Sequence, residues 1–148
     1  MNPNCNAIVP NGGRATAEAR GDSNPATGPG QKRLEAAERV LRGERLRWLL
    51  GKKKELVQTG NVFGKTMTDV RYERMLSEVS HTELERELVL MELEAGPRGV
   101  PEVAAATGLA GPVVFRHIVM LMKARRVESK GERDGIELWG PVETGAKK

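Results

Sequence analysis

The residues of this chain best suited to chemistry are closely spaced cations. The stretch GPVVFRHIVMLMKARRVESKGERDG, Gly111 to Gly135, carries Arg116, His117, Lys123, Arg125, Arg126, Lys130 and Arg133. Between residues 110 and 133 only Glu128 and Glu132 oppose them. Such groups bind phosphate oxygens, and contacts of that kind dominate the salt-dependent affinity of proteins for DNA. Arg116 alone can pair bidentately with guanine from a helix face. Lys123, Arg125, Arg126, Lys130 and Arg133 are candidate phosphate contacts. His117 is expected as a polar contact or a packed residue. The competing reading is a solvated helix end, since cations near a helix C-terminus also favour its dipole.

Catalytic chemistry has little to work with. There are two histidines, His81 and His117, and one cysteine, Cys5. They form no metal-ligand spacing, and a single thiol closes no disulfide within the chain. There is no phosphate-binding Walker loop, no Gly-x-Gly-x-x-Gly after a strand and no nucleophile elbow. No enzyme activity, cofactor or metal is therefore expected. Cys5 reads as a free thiol, which suits a reducing cytoplasm.

The cations need a helix to present them. Pro101 suits a first helical turn, Gly108-Leu109 a tight turn, and Gly111 to Arg125 a second helix. Val114, Ile118 and Leu121 form its inner stripe. Gly111, Pro112, Val113, Phe115, Arg116 and Val119 are left outward or at the edge. Val127–Lys130 and Ile136–Trp139 read as two short strands joined through Asp134-Gly135, a strong hairpin signal. Val113 and Phe115 can meet a thymine methyl or form a small apolar patch for a partner; Phe115 can equally pack against the hairpin. Ahead of this unit, Ser80-His81-Thr82-Glu83 has capping-box spacing and opens a helix that ends at Gly96-Pro97. Thr68 is expected to cap a shorter helix through Val79.

Helix, helix-turn-helix and hairpin over residues 80–140 resemble the small winged-helix transcriptional regulators of the arsenic-repressor-like group. Val103-Ala104, Gly108-Leu109, Val114, Arg116-His117, Ile118, Leu121 and Val127 carry the likeness. Two departures stand out. Arg125-Arg126-Val127 replaces the usual Gly-Leu-Val before the wing, and the start of the second helix lacks its usual Ser, Thr, Gln or Asn. The resemblance implies a mainly α fold with a small β-hairpin, a winged helix-turn-helix preceded by a helical region. It implies a dimeric regulator that binds double-stranded DNA. A second stretch, GERLRWLLGKKKELVQTGNVFG from Gly43 to Gly64, is similar to C-terminal extensions of hydrogenase delta-type iron–sulfur subunits of heterodisulfide-reductase-like complexes. That likeness implies a protein-docking accessory module of a redox complex, without the cysteine-rich cluster-binding part.

The rest of the chain sets the partners. Residues 31–60 hold nine Lys and Arg against four Asp and Glu, whereas residues 80–140 hold eight against ten. The middle region 31–79 is thus a basic helical segment. Leu34, Ala37, Val40, Leu41 and Trp48 fall on one face of it. It can dimerise, dock on an acidic partner protein, or touch nucleic acid or anionic lipid. Val113, Phe115, Val119 and Trp48 are the candidate partner-binding residues. Glu83, Glu85, Glu87, Glu92 and Glu94 would repel DNA if they faced it. They can instead lie on the far side, or pair with Arg86, with the middle helix, or with a second copy. Aromatics are only 3% of residues, and no aromatic-interleaved single-strand platform appears. The apolar runs are too short to span a membrane, and no membrane partner is expected. Residues 1–30, poor in large apolar groups, read as a disordered arm without a secretory signal, and 141–148 as a flexible tail.

Overall fold

The computed structural model describes residues 28–143; the expectations for Cys5 and for most of the arm and tail lie outside them. The described chain is mainly helical with a small three-stranded antiparallel sheet. Helix α1 spans Pro29–Arg42 and α2 spans Glu44–Gly51. Pro29 needs no hydrogen-bonded N–H in the first turn, so residues 29 and 30 belong to this helix and not to the arm. Gly43, with extended backbone, separates the two helices. A wide π-type turn, Glu55–Thr59, comes next and stops at Gly60.

The central element is α3, Asp69–Glu94, 26 residues capped by Thr68, whose Oγ1 accepts from the N–H of Arg71. No break occurs at residue 80, so the helix expected to open there and the shorter one expected before it are a single element. Ser80 Oγ donates to the Leu76 carbonyl and Thr82 Oγ1 to the Glu78 carbonyl. Both hydroxyls bond back into the preceding turn, an option that competes with capping when no Gly or Pro interrupts the chain. The 26 residues make a rod about 39 Å long. Helix α1 lies along its C-terminal half, where Lys32 meets Glu92 and Arg39 meets Glu87 and Glu94, and its N-terminal half packs on α2, where the buried Tyr72 donates its hydroxyl to the Leu49 carbonyl at 3.0 Å.

The C-terminal half of α3 also supports the rest. Strand β1, Arg98–Gly99, leads into α4, Val100–Thr107, and α5, Gly111–Lys123, begins after three intervening residues. The axes of α4 and α5 bend by 111°. Gly108 ends α4 at φ 74°, a left-handed backbone that glycine adopts without steric cost. Strands β2, Val127–Arg133, and β3, Ile136–Pro141, form the hairpin; β3 therefore runs one residue into the expected tail. Asp134 and Gly135 both have positive φ, as a two-residue primed turn requires. The sheet order is β1-β3-β2, with Arg98 and Ser129 both opposite Trp139. Strand β1, only two residues long, carries no periodic signal in the sequence.

Val89, Leu90, Leu93, Val103, Val114, Ile118, Leu121, Val127 and Trp139 make one core beneath α5 and the sheet. The stripe Val114, Ile118, Leu121 is buried as expected. In the basic region only part of the expected apolar face turns inward, with Ala37 and Val40 half-buried. Ala36, Leu46 and Leu49 are buried, while Leu34, Leu41 and Trp48 are more than half exposed. Ion pairs accompany this packing. Lys32, Ala36 and Arg39 lie at helical spacing against the acidic ridge of α3, where Lys32 meets Glu92 and Arg39 meets Glu87 and Glu94. Among the described residues no single helix is long and apolar enough to cross a membrane.

Candidate nucleic-acid interface

Helix α5 has two faces, and its three apolar anchors decide which is which. With Val114, Ile118 and Leu121 inward, Pro112, Phe115, Arg116, Met122 and Lys123 stand exposed. Arg116 and Lys123 are seven residues apart, hence on one stripe about 10 Å long; Phe115 and Met122 form the neighbouring stripe. Val113 and Val119 are half-buried, so of the expected partner-binding residues on α5 only Phe115 is well exposed. Met120 and Met122, absent from the expected set, add apolar surface at 44% and 39% exposure.

His117 is corrected. It is 1% exposed and faces α3, so it cannot touch a groove ligand. Its Nε2 lies 3.0 Å from Oε2 of Glu85, whose other oxygen, Oε1, is 3.1 Å from Nε2 of His81. An ionised carboxylate only accepts, so in the His117 bond the hydrogen is on Nε2; the His81 contact is an ion-pair distance. His117 Nδ1 is buried with no partner among the described residues. Burial pushes the Glu85 carboxyl up, but the His117 hydrogen bond and the charges of His81, His117 and Arg116 outweigh it and hold the group below its ordinary value. The His81–Glu85 half of this chain of bonds is legible as an i,i+4 spacing. The His117 half joins residues 32 apart and has no local signal. Among the described residues no three His, Cys, Asp or Glu are placed to hold a metal.

The cations sort into two sets. Lys130 is bonded to Glu128 at 2.7 Å and to Glu143 at 3.3 Å, and Arg133 is bonded to Glu102. Glu128 holds the Lys130 ammonium above its ordinary range. Arg116, Lys123, Arg125 and Arg126 are exposed and in ion-pair contact with no carboxylate among the described residues. Arg125 stands at φ 55°, where the helix closes: its N–H donates to the Met122 carbonyl and that of Arg126 to the Leu121 carbonyl. This two-bond closure normally places glycine at the left-handed residue. It also ends α5 two residues before the expected Arg125.

The acids of α3 between Glu83 and Glu94 are spent inside the chain. Glu83 pairs with Arg45 and Arg86, Glu85 with the two histidines, and Glu87 and Glu94 with Arg39. Glu92, 3% exposed, bridges Lys32 and Arg98. The pairing of acidic and basic helices is thus intramolecular, and it removes the charge argument for a second copy at this ridge. The same pairing leaves the unpaired cations of α5 and the turn after it as the exposed positive edge of this half.

No family model, no curated protein and no solved structure matches this chain.

Proposed function

We propose that the chain is a winged-helix protein that binds double-stranded DNA and regulates transcription, with α5 entering the major groove. One observation carries this reading: Arg116 and Lys123 line one exposed stripe of α5, followed by the exposed Arg125 and Arg126, with no carboxylate in ion-pair contact with any of them among the described residues. The element order and the 111° bend between α4 and α5 support it, since helix-turn-helix pairs cross at about 90–120°. Arg116 is the base contact, and Lys123, Arg125 and Arg126 hold phosphates. Lys130 and Arg133 join them only by leaving their carboxylates. No cofactor or catalytic step is required. A homodimer belongs to the proposal because paired half-sites match two-fold symmetry, and the exposed Leu34 and Leu41 of α1, seven residues apart, give a second copy an apolar face. Binding to mixed DNA fragments across a salt series tests the reading; a common enriched site is expected.

A second reading is favoured by Phe115, 50% exposed, and Met122 beside the same cations. In it the α5 face docks on a protein partner, in a redox complex of the kind the Gly43–Gly64 stretch resembles. Loss of a stable protein complex in Phe115→Ser, with no selective DNA binding in the parent, would favour it.

A further inference from the structure

We propose that the opposite end of the molecule, built from α2, the turn after Gly60 and the first turn of α3, docks on an anionic lipid surface. Val62 and Phe63 would enter the interface. These two side chains are the most exposed large apolar groups among the described residues, at 94% and 81%. The turn that carries them is held in place. Asn61 Oδ1 accepts from the N–H groups of Phe63 and Lys65 at 3.0 and 3.1 Å, and Asn61 N–H donates to the Lys65 carbonyl at 2.9 Å. Gly60 and Gly64 supply positive φ on either side of the tip. An apolar pair is therefore fixed in water on a convex tip with no wall of its own chain to cover it. At its foot lies an open cleft of about 470 Å³ lined by Trp48, Lys52, Leu56 and Val62.

Charge complementarity selects the occupant. Residues 44–74 hold eight Lys and Arg against four Asp and Glu, a surplus equal to the whole chain's net +4. Lys52 and Lys53 are paired with Glu55 and Asp69, but Arg47, Lys54, Lys65, Arg71 and Arg74 meet no carboxylate among the described residues. The cations nearest the tip are lysines. Lysine is a hydrated point charge on a flexible stem, suited to a diffuse layer of anionic headgroups; bidentate pairing with a protein carboxylate favours arginine. A protein partner would need a preformed pocket for Phe63, whereas a bilayer interface accepts an apolar tip ringed by cations and an amphipathic Trp48 beside it. This surface is about 24 Å along α3 from the level of Glu85 and α5, so it is separate from the proposed DNA contact.

The test uses the full chain with vesicles of phosphatidylcholine, with or without phosphatidylserine, read by co-sedimentation and Trp48 emission. Trp139 is buried and serves as a constant background. Binding about tenfold stronger on the phosphatidylserine vesicles is expected, with a blue shift of Trp48 and a weakening by salt. The double variant V62S/F63S, exposed enough to leave the fold intact by circular dichroism, should lose about tenfold in that binding. K54A/K65A should lose the preference for phosphatidylserine. No binding to the anionic vesicles at low salt overturns the proposal. So does equal binding to both vesicles, or binding that V62S/F63S leaves unchanged. Loss of DNA binding in V62S/F63S would overturn it too, assigning this end to nucleic acid; loss of vesicle binding in Arg116→Ala would move the contact to α5.

Discussion

Nε2 of His117 lies 3.0 Å from Oε2 of Glu85, and this bond ties α5 to α3 at a point where its neighbour Arg116 faces solvent. The adjacent residues Arg116 and His117 therefore do different work. His117→Ala should cost about 2–3 kcal/mol of stability, from the lost hydrogen bond, the carboxylate left without it and the space vacated. Arg116→Ala should leave stability within about 0.5 kcal/mol. Urea unfolding of the two variants checks this; equal costs would mean that His117 is not the anchor.

The depressed carboxyl of Glu85 gives a signed pH dependence. A carboxyl whose folded-state pKa is lowered contributes stability that is present above its unfolded-state value and is lost as pH falls through the folded-state value. Stability should thus decline on acidification below the ordinary 4.5. Glu85→Gln removes that contribution, so its urea midpoint should change less than the parent's between about pH 6 and about pH 3. An identical acid limb in both proteins would contradict the role given to this group.

Glu92 is nearly inaccessible and bridges Lys32 of α1 and Arg98 of β1. Its replacement by Ala should cost about 2–3 kcal/mol, near the low end for breaking a buried pair because both cations can reach water. Lys32→Ala, at a 40% exposed partner, should cost under about 1 kcal/mol. Thermal denaturation of both variants separates the two effects.

Arg125 occupies a left-handed position at φ 55°. Arg125→Gly should stabilise the fold by about 1 kcal/mol, since a side chain at such a position is strained. Arg125→Ala keeps the strain and should not stabilise. Both should weaken DNA binding similarly if Arg125 holds a phosphate. The pair of unfolding curves reads the backbone effect, and the pair of binding curves reads the charge.

The features legible in the sequence are those set by short-range forces. The inner stripe of α5, the Gly108 turn and the Asp134-Gly135 hairpin depend on neighbours a few residues apart, and all three are readable. The continuity of α3 is hidden because Ser80 and Thr82 carry cap-forming hydroxyls that here bond backward. The packing face of α1 is hidden because its partners Glu87, Glu92 and Glu94 lie on a helix about fifty residues away in the sequence. On α5, Arg116 and Lys123 stand exposed as their positions in the helix predict. His117 and Arg133 read as contacts in the sequence because their partners Glu85 and Glu102 are remote along the chain, whereas the main partner of Lys130 is Glu128, two residues before it on the same strand.

Whether α5 reads DNA is decided by selection from genomic fragments. The purified chain is mixed with the fragments at a series of salt concentrations, and the retained ones are sequenced. A common enriched site is expected. Log affinity should fall with log salt at a slope of about −3 per bound chain, hence about −5 for the homodimer, set by the phosphate contacts Lys123, Arg125 and Arg126. Arg116→Ala should lose about 1–3 kcal/mol of specific binding. Unselective binding that disappears at physiological salt, or a site preference unchanged by Arg116→Ala, would contradict a DNA-reading role for this helix.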